Sequence, residues 1–139
     1  MIAPHHHKNN TGFTLIELLT TLAIISFLAL ISYPVYTSYL IKTRRIQAEV
    51  TLLNLANELE QYHLLHHTYA GATLSDLQIN PYTDNQMYRL VMSSATETSY
   101  LLNAYPMKTQ KADQLCEALS LNQLGQKMIS GNGKALDCW

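Results

Sequence analysis

The sequence lacks the signatures of an enzyme. It has no GxSxG elbow, no Walker loop, no dinucleotide glycine motif and no HExxH. No nucleophile–base pair stands out, so no enzymatic activity and no cofactor are expected. The run Gly131-Asn132-Gly133-Lys134 has the wrong spacing for a phosphate loop, and no helix is expected after it; it reads as a plain loop. Cysteine is scarce. Cys116 and Cys138 are the only two, and without a CxxC they make poor zinc ligands. The formal net charge of −1 forecasts neither a nucleic-acid partner nor an acidic substrate.

The longest absence is of charge. Residues 18–41, between Glu17 and Lys42, carry none. At ~1.5 Å per residue, a helix of that length covers the ~30 Å hydrocarbon core of a bilayer. The other reading is the buried helix of a globular protein, but the rest of the chain is too short to wrap a continuous apolar cylinder. Met1 to Gly12 is polar, with His5, His6, His7, Lys8, Asn9 and Asn10. A secretory signal places its apolar region before the cut, with small residues at the cleavage site. Here the order is reversed. A peptidase cutting after Gly12 would remove a hydrophilic leader and leave the apolar helix in the mature protein.

Glu17 is out of place at the head of an apolar run, because ionised groups in a bilayer are costly and usually paired. After a cut at Gly12, Phe13 would carry a free amino group about one turn before Glu17. That amine could meet Glu17 of a neighbouring subunit, or Glu17 could be solvated at the membrane surface. Pro34 interrupts the run, where it removes a backbone donor and is expected to kink the helix.

From Arg44 to about His66 the pattern is again helical. Ala48, Leu52, Leu55, Leu59 and Tyr62 recur at spacings of three and four and should face a core. Gln47, Thr51, Asn54, Glu58 and Gln61 form the stripe expected to face water. His63 and His67 share a helical face, but no nearby carboxylate or cysteine completes a metal site, so a solvated helix end is the better reading. Gly71 and Thr73–Asp76 are expected to end the helix.

Strand-like runs follow. Tyr88, Leu90 and Met92 alternate with Arg89 and Val91; Thr98 to Tyr105 is stopped by Pro106; Leu119 and Leu121 lead to a turn near Gly125; Gln126 to Ile129 is a short fourth run. The fold class is α+β, with three or four antiparallel strands laid on the amphipathic half of the helix. In a small exported domain the two cysteines read as a disulfide, against free thiols in a reducing compartment. A bridge closing the loop 116–138 would contribute about 3 kcal/mol in the loop-entropy model.

The contiguous motif Gly12-Phe13-Thr14-Leu15-Ile16-Glu17-Leu18, with leader before and apolar run after, resembles the class III signal of type IV pilins. Farther along, Thr68-Tyr69, Tyr88-Arg89-Leu90, Ser99 to Pro106, Asp113-x-x-Cys116, Leu119-Ser120-Leu121 and Cys138-Trp139 are similar to PilE-like minor pilins. The resemblance implies the type IV pilin fold, with residues 1–12 a leader and residues 13–66 one long helix. Residues 13–41 would form its membrane or filament-core part and 42–66 its amphipathic part. Residues 67–139 would be the sheet head with the disulfide loop.

It further implies that a prepilin peptidase and N-methyltransferase cuts between Gly12 and Phe13 and methylates Phe13. Glu17 and Pro34 become assembly residues, the glutamate neutralising a neighbour's N-terminus. The implied function is a minor pilin that helps build or prime a pilus for adhesion, twitching motility or DNA uptake. The alternatives are a competence pilin that binds DNA, with Lys108, Lys111, Lys127 and Lys134 as candidate contacts, and a type II secretion pseudopilin. Partners would be other pilins in a helical filament, an inner-membrane assembly platform, and a tip adhesin or DNA. Residence in the inner membrane with a periplasmic C-terminal domain, then in an extracellular pilus, follows. The positive-inside rule places Lys42, Arg44 and Arg45 in the cytoplasm instead; the cysteines and the cleavage motif outweigh it.

Overall fold

Thr14 opens the long helix with a reciprocal cap. In the computed structural model, which describes residues 12–139, helix α1 runs from Leu15 to His66. The Glu17 backbone N–H donates to Thr14 Oγ1 (3.3 Å), while the Glu17 carboxylate accepts from the Thr14 backbone N–H (3.1 Å) and hydroxyl (3.0 Å). This is a capping box, Thr-x-x-Glu, and it sets the helix start two residues later than Phe13. The expected leader, residues 1–12 with His5, His6 and His7, lies outside the described residues except for Gly12.

Residues 12–37 form a unit of their own, and the serine and threonine hydroxyls of its helix are turned back on the helix backbone. Thr20 donates to the Glu17 carbonyl, Thr21 to Leu18, Ser26 to Leu22, Ser32 to Leu28 and Thr37 to Pro34, all at 2.8–3.0 Å. No hydroxyl in this set therefore needs water, which makes the polar side chains compatible with an apolar surrounding. The helix continues past Pro34, so the proline does not end it.

The second unit, Ser38–Trp139, holds the rest of α1 and the sheet. Ala48, Leu52, Leu55 and Leu59 are buried, as their spacing predicts, and Tyr62 packs partly buried against the same core. Gln47, Asn54 and Gln61 are exposed, whereas Thr51 and Glu58 are half-buried. The helix stops at His66 because His67 takes a left-handed backbone (φ 55°), its N–H donating to the His63 carbonyl. Gly71 (φ 87°) serves the next turn rather than the helix end.

The sheet is a four-stranded antiparallel meander in the order β1 (Tyr88–Ala95), β2 (Tyr100–Pro106), β3 (Leu119–Asn122), β4 (Lys127–Ile129). Strand β2 begins at Tyr100, not Thr98, because Thr96 and Ser99 close the hairpin on each other. It runs through Pro106, since the last rung shared with β3 is Ala104↔Leu119 and the proline is not asked to donate there. One face of the sheet brings Tyr88, Leu90, Leu102, Leu119 and Leu121 onto the helix leucines. On the other face, Asn103 is buried between Ser93 and Ser120, donating to one hydroxyl (2.5 Å) and accepting from the other (2.6 Å).

Two short elements were not expected: a 3-10 turn at Lys108–Ala112 and a one-turn helix α2 at Ala135–Cys138, directly after the Gly-rich loop. Neither has the length for a hydrophobic period to show. Each is held from outside. Gln110 of the 3-10 turn donates to the Ile41 carbonyl, and Cys138 of α2 is bonded to Cys116.

Three buried tyrosines give the unit an alkaline limit. Burial, then the charge of Glu60, pushes the Tyr100 hydroxyl up to about 12 from its ordinary 10.0. Burial raises Tyr69 and Tyr88 as well. A raised folded-state pKa gives stability that is complete below the unfolded value and is lost as pH climbs through the folded one. The urea midpoint is therefore expected to fall between about pH 10 and pH 12. Tyr100→Phe should flatten that fall; an unchanged slope would show that Tyr100 does not set it.

Candidate functional site

The first candidate surface is the apolar stretch. Phe13, Leu15, Ile16, Leu22, Phe27, Leu30, Ile31 and Val35 are all more than half exposed. The most apolar window of α1 has a mean hydropathy of 2.3, and none of it is buried within the chain. A continuous apolar surface of this kind requires a cover, either lipid or other helices. At its head stand Gly12 and Phe13, both exposed and outside the helix, and Glu17 with its carboxylate engaged by Thr14.

The second candidate lies where charge returns to α1. Arg45 donates to Asp113 Oδ2 from Nη2 (2.8 Å) and Nε (3.0 Å), and from Nη1 to the Asp137 carbonyl (3.4 Å). Arg44 donates to Thr109 (3.1 Å). Gln110, fully buried, donates from Nε2 to Tyr88 Oη (3.1 Å) and to the Ile41 carbonyl (3.2 Å). This polar knot fixes the 3-10 turn against residues 41–45. A partly buried Glu49 lines a shallow groove next to it, with Lys42, Arg45, Leu136 and Trp139. Burial raises the Glu49 pKa, and the charges of Lys127 and Arg45 oppose the rise.

The third is the disulfide loop. Cys116 and Cys138 are bonded, and the backbone N–H groups of Gly131 and Gly133 donate to the carbonyls of Cys116 (3.2 Å) and Leu115 (2.7 Å). A Cβ on Gly131 would overlap the Leu115 carbonyl, which is why glycine stands there. Trp139 donates from its indole to the Met128 carbonyl (3.0 Å) and lies under Lys127 Nζ, 5.1 Å from the ring centre.

Two family models match the chain. Residues 34–120 match the model described as type IV minor pilin ComP, DNA uptake sequence receptor, and residues 7–33 match the prokaryotic N-terminal methylation motif. The chain belongs to the type IV minor pilin ComP family. No curated protein sequence matches it. Among solved structures it is similar to the non-core minor pilin PilV of Neisseria meningitidis, with TM-score 0.55 and 23% identity over 69% of this chain and 92% of that one. A type IV pilin from Shewanella oneidensis aligns with TM-score 0.48 and 24% identity over 71% of this chain and 97% of that one. The family is one of structural pilins and not of enzymes. Membership, with the methylation motif, implies membrane anchoring through the apolar helix and assembly with other pilins.

The structure distributes the four candidate lysines over three places. Lys108 and Lys111 share the 3-10 turn, Lys108 Nζ donating to Gln86 Oε1 (3.0 Å). Lys127 is on the edge strand β4, and Lys134 precedes α2. Of the knot residues, Arg44 and Arg45 stand out in the sequence only as charges after the apolar run and Asp113 only within a family motif, and Gln110 does not stand out at all. Their partners are more than sixty residues apart, so no local pattern joins them. Two of the histidines are engaged with aromatic rings, His63 stacked on Tyr69 (4.3 Å) and His66 tilted against Tyr62 (4.2 Å). Among the described residues no cluster of metal-ligating side chains occurs.

Proposed function

We propose that this pilin is a minor structural subunit of a type IV pilus. It waits in the inner membrane with residues 38–139 on the periplasmic side and is then drawn into the extracellular filament. The observation that carries the reading is the exposed apolar stretch headed by Gly12, Phe13 and Glu17. It is a surface that a bilayer covers first and neighbouring pilin helices cover afterwards. Prepilin peptidase cuts between Gly12 and Phe13 and methylates Phe13. Pro34 marks the place where the helix adapts during packing.

Glu17 has two jobs to separate, since its carboxylate both caps its own helix and is the group a neighbour's N-terminus would meet. Glu17→Gln keeps a residue suited to the cap and removes the charge, whereas Glu17→Ala removes both. Both variants are expected to be cleaved normally and to be lost from sheared pili, by about ten-fold or more on immunoblots. Glu17→Gln present in pili at the wild-type level would sink the charge-pairing role.

A second reading, favoured by the family match, is a DNA-binding subunit in uptake. Lys108, Lys111, Lys127 and Lys134 are its candidate phosphate contacts. Replacing all four with Gln should lower transformation about ten-fold or more while piliation is kept, because phosphate contacts act together. Unchanged transformation with normal pili removes the DNA reading and leaves the structural one.

A further inference from the structure

We infer that the 3-10 turn and the first charged turn of α1 together form a docking surface for anionic phospholipid headgroups, used while the subunit is anchored in the membrane. Lys42, Arg44, Lys108 and Lys111 supply it. The knot brings them together: Gln110 is bonded to the Ile41 carbonyl and Thr109 to Arg44, so the turn bearing Lys108 and Lys111 is held against residues 41–45. Lys108 and Lys111 are exposed, Lys42 is exposed, and the bonds that Lys108 and Arg44 make are to neutral groups, which leaves their charge uncompensated. The carboxylate most able to neutralise the cluster, Asp113, is occupied by Arg45. Asp137, on α2 beside Arg45, and Glu49, in the groove with Lys42 and Arg45, are further carboxylates at this end, two against the four cations.

Two features of the sequence next to the cluster point to a membrane surface and not to another partner. The charge-free residues 18–41 end immediately before Lys42. The last turns before it carry Tyr33, Tyr36 and Tyr39, all well exposed. An aromatic belt followed by cations is what the headgroup region of a bilayer selects, and basic residues adjoining a span are drawn to anionic lipid. The carboxylates Glu58, Glu60 and Asp76 lie on and beside the far end of α1, on residues away from this turn. The lysines of the 3-10 turn are held beside Lys42 and Arg44, the first charged residues after the charge-free run.

This inference rests on membrane anchoring. The mature full-length chain is placed in nanodiscs of phosphatidylcholine alone or of phosphatidylcholine with phosphatidylglycerol, and backbone hydrogen exchange is followed. Residues 107–112 should exchange about ten-fold more slowly in the phosphatidylglycerol discs, and the difference should vanish in 1 M NaCl, where the Debye length is about 3 Å. The double variant Lys108→Gln/Lys111→Gln should lose the protection while β2 exchanges as in the parent, which shows the head intact. Neutral discs with inorganic phosphate or with a DNA duplex complete the set. Equal exchange in both lipids, or protection confined to the phosphate or duplex samples, overturns the proposal. A chain that does not enter discs at all refutes the anchoring and not the docking.

Discussion

Asp113→Ala lowers the unfolding free energy of the mature chain by about 3 kcal/mol. The side chains of Asp113 and Arg45 are 4% and 12% exposed, and Asp113 Oδ2 takes two bonds from the guanidinium and a longer one from Gln110 (3.5 Å). Removing the carboxylate leaves a largely desolvated cation without its partner, and the penalty is that of the stranded charge rather than the worth of the bridge. Because Arg45 retains some access to water, the loss belongs at the lower end of the range for buried pairs. Asp113→Asn keeps the shape and should lose less. Arg45→Met combined with Asp113→Leu should be better tolerated than Asp113→Ala, since no charge is left behind. Urea titration of the detergent-solubilised chain measures all of these. A single-variant loss under about 1 kcal/mol would show that water reaches the knot freely.

Cys116→Ser is the second large effect, at about 3 kcal/mol for a loop of this length, and a reductant on the parent chain should reproduce it. It also has a spatial signature. Trp139, the only tryptophan, is one residue beyond Cys138 and is held by the Met128 carbonyl and Lys127. With the bridge gone, α2 is a single turn with no side-chain cap at its start, too short to persist alone. Tryptophan emission should shift to the red at urea concentrations where the circular dichroism of the sheet and helix is still native. Coincident transitions would mean instead that α2 is held by packing and that the bridge acts only on the unfolded chain.

Much of this molecule is legible in its sequence because the signals are local. The charge-free stretch, the spacing of Ala48, Leu52, Leu55 and Leu59, and the alternation at Tyr88-Arg89-Leu90 are each decided by residues a few positions apart. The strands, expected as three or four, follow from the same kind of evidence, whereas the disulfide follows from the exported context of two lone cysteines. The capping box at Thr14 and Glu17 was also local, but the family motif drew the glutamate into an intersubunit role and hid its intrachain one. What was not legible depends on distance. Nothing near Asp113 announces Arg45, and nothing near Gln110 announces the Ile41 carbonyl. Burying a fully polar side chain such as Gln110 runs against composition and is justified only by partners the fold delivers. The candidate lysines illustrate the same limit, for the sequence names them together and the fold sets Lys108 and Lys111 on one turn and the other two on separate elements.

The order of the sheet has a consequence for how the chain is made. Each strand of the meander pairs with the one just before it, so pairing can keep pace with synthesis and no strand waits for a distant partner. The helix that forms one side of the core is complete before the first strand arrives. Cys138 follows Cys116 and all four strands, so its bridge closes after the sheet has been made. A subunit extracted before that oxidation would be recognisable by its two free thiols.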